Sequence, residues 1–212
     1  MNATKQKILK VSLELFSRYG YSAVSIRDIC RQVQIKESTV YYHFKNKQAI
    51  LKELLARFEQ TAEGMMSRLE QAILEEQERK ETLPGTEKQN GMCEGFFEQY
   101  LMDGFCNQVM RLLSIEQFHD KNMQGLYDYW MFERPLGFQE KVFRLLMEAG
   151  ILEKSDSAYL AVKFYGPIFV YAQRWLFSGS LSEERKNAFR EAAYGYVKKF
   201  FREMGEAKWQ TS

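Results

Sequence analysis

A chain of 212 residues, 45% hydrophobic and 27% charged, is long enough for one large domain or two smaller ones and too apolar to be disordered. Its formal net charge is only +2, yet residues 1–48 hold nine basic and three acidic side chains, while the remaining 164 hold 21 basic and 25 acidic ones. Cys30, Cys93 and Cys106 form no CxxC or Cys/His cluster, so neither a disulfide framework nor a zinc site is indicated, and no clean apolar run of about 18 residues points to a membrane span.

Residues 4–19 place Ile8, Leu15, Phe16 and Tyr19 on one helical stripe that only Ser12 interrupts, and Gly20 supplies a stop. Ser25 opens a short second helix. Asp28 completes an S-x-x-D capping pattern with it, and Ile26, Ile29, Cys30 and Val33 give the buried side. A tight turn around Gln34 and Ile35 leads into a third helix, 37–44, with Val40, Tyr41 and Phe44 as its apolar positions. Two short helices joined by a tight turn, after a longer supporting helix, make a helix-turn-helix unit.

Asn46 reads as the N-cap of a long fourth helix over 46–81, followed by a loop over 83–91. Residues 92–118 read as one helix broken near Cys106–Asn107, or as two short ones. Residues 119–132 read as helical but weakened by Gly125, and Arg134-Pro135-Leu136-Gly137 as a break or new start before a helix to Ala149. Ser155 or Asp156 caps a helix to about Phe177, bent by Pro167, and Ser182 caps the last helix. No convincing strand or internal repeat occurs. The expected fold is all-α: an N-terminal three-helix DNA-binding domain over 1–48, with its helix-turn-helix at 25–44, and a C-terminal helical domain over 49–212. The first residues, MNATKQKILK, lack an apolar signal core, and a reduced, cytoplasmic protein is the default expectation.

The run SIRDICRQVQIKESTVYYHF from Ser25 to Phe44, followed by KNKQAIL, resembles the TetR/AcrR family of transcriptional regulators. Phe16, Gly20, Ile29, the stretch Thr39 to Phe44, and Lys47 carry the resemblance, which covers residues 4–55. It implies a homodimer whose N-terminal three helices bind double-stranded DNA at a pseudo-palindromic operator. It also implies a larger C-terminal domain that binds a small-molecule effector and dimerises, with no cofactor, no metal and no membrane partner. Two departures stand out. Gln34 occupies a turn position where the family usually has glycine, at a cost of roughly 1 kcal/mol if the backbone there is left-handed. Lys36, Glu37 and Ser38 replace the usual Ser-Lys-Gly, so that Glu37 or Ser38 is left to cap the third helix.

A recognition helix presents its N-terminal side chains to major-groove edges, which points to Lys36, Ser38, Thr39 and Tyr41, with a core position as the alternative for Tyr41. Tyr42 and His43 resemble the family's phosphate-contacting pair. Lys47 stands in the first turn of a helix, where a cation opposes the dipole, and a bound phosphate would explain it. Ser25 and Arg27, at the start of the second helix, face phosphate across the groove, or Arg27 is simply solvated.

Of 31 aromatic residues, 25 lie beyond residue 48. Together with the family resemblance, this excess suggests a ligand pocket drawn from Met66, Phe97, Tyr100, Phe105, Tyr127, Trp130 and Phe143. Arg111, Glu116, Glu133 and Arg134 are the candidate polar anchors, with conflicting signs. Helices that are apolar nearly all round suggest a dimer interface through Phe169, Gln173, Phe177, Phe189, Tyr196 and Phe200. The reading is therefore a dimeric DNA-binding repressor released by a hydrophobic or aromatic ligand. An oligomeric adaptor that binds a protein through its aromatic surface is the alternative. No arrangement of nucleophile, base and orienting group suggests an enzyme, since the only histidines are His43 and His119.

Overall fold

The computed structural model describes residues 2–78, 91, 93–150 and 152–210, without the side chains of 76–78 and 205–210. The loop expected over 83–91 falls almost wholly outside these residues, as does Met92. The described residues are helical, with α1 (Ala3–Tyr19), α2 (Ile26–Val33), α3 (Glu37–His43) and α4 (Lys47–Glu78) followed by α5 (93–101). Then come α6 (Gly104–Glu116), α7 (Lys121–Asp128), α8 (Arg134–Glu148), α9 (Ser157–Ala172) and α10 (Glu183–Gln210).

The helix ends follow the local chemistry. Gly20 stops α1 with φ +87°, a conformation open to glycine and strained for other residues. Ser25 and Asp28 form a full capping box at α2, Asn46 Oδ1 accepts from the Ala49 amide, and Asp156 Oδ1 accepts from the Ala158 and Tyr159 amides. Gln34 sits at φ 63°, ψ 49°, the one non-glycine left-handed residue among those described. Neither Glu37 nor Ser38 caps α3. The N-cap is Lys36, whose side chain makes no capping bond.

One expected break is placed differently: the chain breaks at Met102–Asp103, while Cys106 and Asn107 lie buried inside α6. The new start expected at Arg134 is found, without a break: α7 passes into a π-turn over Tyr129–Glu133 and then α8, with Pro135 in the first turn of α8, where a missing amide costs nothing. Similar π-turns occupy Phe97–Leu101 and Gln173–Phe177. Each adds one residue to a turn and shifts the buried stripe around the helix.

The chain divides into two compact units that do not follow the 48/49 boundary. One comprises residues 1–62 with 104–128, the other 63–103 with 129–212. The first unit contains α6 because Val109, Leu112 and Leu113 turn an apolar stripe inward there, and α6 packs on α1. The second is built on aromatic packing: Phe143, Phe164, Phe200 and Phe201 meet ring to ring at 5.1–5.9 Å between α8, α9 and α10. There the π-turn of α5 is tied down by Glu98. Its carboxylate takes Arg190 Nε at 2.6 Å and Nη2 at 2.9 Å, and the Tyr194 hydroxyl at 2.7 Å.

Replacing Gln34 with glycine removes the left-handed strain and should raise stability by about 0.5–1 kcal/mol in urea unfolding. The Arg190 and Tyr194 hydrogen bonds hold the Glu98 carboxyl below its ordinary value. Its contribution is therefore complete above the ordinary glutamate pKa and is lost as pH falls through the lowered one. Glu98→Gln should lower the melting temperature at neutral pH and make its decline on acidification shallower.

Candidate nucleic-acid interface and apolar cavity

The first unit presents α3 outward. Val40 is fully buried under it, whereas Tyr41 is 51% and Tyr42 82% exposed. A core role for Tyr41 is thereby excluded. Lys36 and Ser38 are exposed, and Thr39 and His43 are half-buried. Tyr42 meets the His43 ring edge-on at 4.9 Å.

The starts of α2 and α3 are joined by an ion pair, Arg27 Nε to Glu37 Oε1 at 3.1 Å. Arg27 stays 83% exposed and solvated, and Glu37 partly offsets the positive charge of this face. Ser25 Oγ donates to Asp28 Oδ2 at 2.6 Å, and its amide to the same oxygen at 2.9 Å. These bonds, with Arg31 alongside, hold the Asp28 carboxyl below its ordinary value.

Lys47 has a local reason that the sequence argument lacked. Its ammonium donates to the Tyr21 carbonyl at 2.8 Å and the Val24 carbonyl at 2.7 Å, and lies 4.2 Å from the centre of the Tyr21 ring. The side chain thus fills acceptors in the α1–α2 turn, and partial burial lowers its pKa. The same turn is gripped from α6. Glu116, only 2% exposed, accepts from Ser22 Oγ at 3.1 Å and from the Ser22 amide at 3.4 Å. A Cβ on Gly20 would stand 2.7 Å from Glu116 Oε1. Glu116 is thus a turn-holding residue and not a ligand anchor. The signal lay in its register, since it continues the buried stripe Val109, Leu112, Leu113 of α6.

The expected ligand residues do not converge as one set. Met66, Phe97, Tyr100 and Phe143 line two small cavities of about 60 and 20 Å³ within the second unit. The larger is walled by Leu69, Ile73, Cys93, Phe96, Phe97, Phe138, Gln139, Val142, Phe143, Leu146, Phe164 and Phe201. Phe96, Phe97, Phe138, Gln139 and Phe164 line the smaller one too. Phe105, Arg111 and Tyr127 belong to the first unit, where Phe105 borders an open groove with Gln6, Lys10 and Arg57. Trp130 is buried against Tyr129 and lines neither cavity. Arg134 is bidentate on Glu63, at 2.7 and 2.6 Å, and Glu133 is exposed.

Of the residues expected at a dimer interface, Phe189 and Phe200 are 0% and 1% exposed, so they are the chain's own core. Tyr196 donates its hydroxyl to the Lys163 carbonyl. Phe169, Gln173 and Phe177 are half-buried, and the open part of α9 is apolar: Tyr159, Val162 and Val170 are each more than half exposed.

Residues 8–54 match the model of the bacterial regulatory proteins of the tetR family. This head is similar to the DNA-binding head of the TetR family. Curated relatives match over stretches of similar length. YerO, an uncharacterized transcriptional regulator of Bacillus subtilis, is 39% identical over 51 residues, or 24% of this chain and 18% of YerO. IcaR, the negative regulator of the biofilm operon icaADBC in Staphylococcus epidermidis, is 39% identical over 49 residues, or 23% of this chain and 26% of IcaR. The matched stretches thus span about a quarter or less of these relatives. The TetR fold extends further. A crystal structure of a TetR-family protein of Mesorhizobium loti aligns over 94% of this chain and 95% of its own, with a TM-score of 0.65 at 20% identity.

Gly20→Ala combines a left-handed backbone with the Glu116 clash. It should destabilise the protein by at least about 1 kcal/mol in urea unfolding.

Proposed function

We propose that the protein is a dimeric TetR-type repressor that reads DNA with α3 and is released by a small ligand held in the second unit. The observation that carries this reading is the exposed face of α3. Lys36, Ser38, Tyr41 and Tyr42 stand clear of the core on a segment with nine basic and three acidic side chains. Thr39 and His43 flank that face, and Ser25 and Arg27 sit at the start of α2, the position from which helix-turn-helix proteins hold a phosphate. Lys47 acts mainly by fixing the turn that presents α2, and its phosphate contact is secondary.

Dimerisation through α9 and α10 is supported by the exposed Tyr159, Val162 and Val170. Two heads one helical turn apart, near 34–36 Å, would then meet a pseudo-palindrome. A ligand can release such a complex only by binding the DNA-free arrangement more tightly. The long α4 contributes residues to both units, which gives that difference a covalent route.

The test is a binding isotherm on duplex DNA from the region upstream of the protein's own gene, repeated at several salt concentrations. The logarithm of the affinity should fall linearly with the logarithm of salt, and Lys36→Ala should weaken binding and flatten the slope by about 1. An affinity indifferent to salt would refute the phosphate-based reading.

A further inference from the structure

The two small cavities carry more chemistry than a location. Six phenylalanines supply the rings around the larger one, and among the described residues no charged side chain lines either. Cys93 adds a thiol that its apolar surroundings push to about 12, so it is uncharged at neutral pH. The nearest candidate for a charged anchor, Arg134, is already satisfied by Glu63. One polar side chain, Gln139, lines both cavities, and its amide has no hydrogen-bond partner among the described residues.

An ion brought into such a space would lose its hydration and gain no counter-charge, a cost of several kcal/mol. A cation stacked on rings recovers part of that cost, but tryptophan and tyrosine serve this best and among the described residues neither lines the larger cavity. A neutral ring meets no such penalty, and one hydroxyl or carbonyl on it would satisfy Gln139. The cavities are smaller than the ~150 Å³ that admits benzene. Phe96 is half-buried, stacks on Phe138 at 5.8 Å and lines both. A ligand of more than one ring would have to displace a wall residue the two cavities share, and Phe96 is the half-buried ring among these.

We infer that this site takes an uncharged aromatic molecule of about two rings bearing a single hydroxyl or carbonyl group, which hydrogen-bonds Gln139. The inference rests on the effector reading above and adds the ligand's charge and polar valence.

Calorimetric titration of the full chain at pH 7 with 2-naphthol, naphthalene, 2-naphthoate and choline tests it. 2-Naphthol should bind at least about tenfold more tightly than 2-naphthoate or choline. Gln139→Leu should weaken 2-naphthol by about three- to tenfold, the range of one neutral hydrogen bond, and leave naphthalene unchanged. The inference is overturned if 2-naphthol does not bind, if either ion binds as well as it does, or if Gln139→Leu leaves its affinity intact. Adding the same compounds to the DNA complex separates the two readings. A neutral ligand that binds without changing DNA affinity sinks the effector reading alone, and an ion that binds and releases DNA sinks this inference alone.

Discussion

The reading surface depends on how one short turn is held. Between α1 and α2 the backbone passes through Gly20 at φ +87°, and its polar groups are claimed by side chains from elsewhere in the same unit. Lys47 of α4 fills the Tyr21 and Val24 carbonyls, and Glu116 of α6 takes the Ser22 amide and hydroxyl. Opposite charges thus grip one turn from two helices, and each enhances the other: the Glu116 charge partly restores the Lys47 pKa that burial lowers. An unpaired buried carboxylate would be costly, so Glu116 is stable there only while the turn donates to it. The turn leads directly to Ser25, the cap of α2, whose capping box with Asp28 fixes the helix start. The start of α2 is therefore set by contacts with α4 and α6, away from the exposed face of α3.

Much of the first unit was legible because its signals are local. A glycine stop, a capping box and a three-residue turn each act within a few residues, so the limits of α1, α2 and α3 follow from sequence. The role of Lys47 was not legible, because its partners lie more than twenty residues earlier and are backbone carbonyls, which carry no side-chain signature. The same holds for Arg27: Glu37 stands ten residues away, across a turn whose geometry depends on a non-glycine residue at φ 63°.

In the second unit the difficulty is one of register. A π-turn advances the helix by one extra residue and rotates everything after it, so a stripe counted at a period of 3.6 loses its place. Three such turns occur among the described residues, at Phe97–Leu101, Tyr129–Glu133 and Gln173–Phe177. Composition announced an aromatic body but could not say which rings share a wall. Phe97 and Phe143 do, Phe105 and Tyr127 belong to the other unit, and Trp130 is packing. The dimer reading failed in the same way at Phe189 and Phe200. A helix apolar on several faces can pack inside its own chain as well as against a copy, and a sequence stripe does not choose.

Charge is what finally distinguishes the two units. In the first, Lys47 and Glu116 hold backbone, and short pairs such as Lys5–Glu53 and Arg27–Glu37 compensate some of the other charges. In the second, ion pairs such as Arg134–Glu63, Lys141–Glu70 and Arg190–Glu98 brace helices at positions away from the cavities, which are lined by rings, aliphatic side chains, a neutral thiol and one amide. A low-dielectric wall with no charge rejects ions because nothing repays their lost hydration, and it selects among neutral molecules by shape and one hydrogen bond. The same cost argument explains why a buried glutamate is tolerable beside donors from Ser22 and why, among the described residues, no comparable ion lines the cavities: in each place, the local supply of hydrogen bonds decides whether charge can stay.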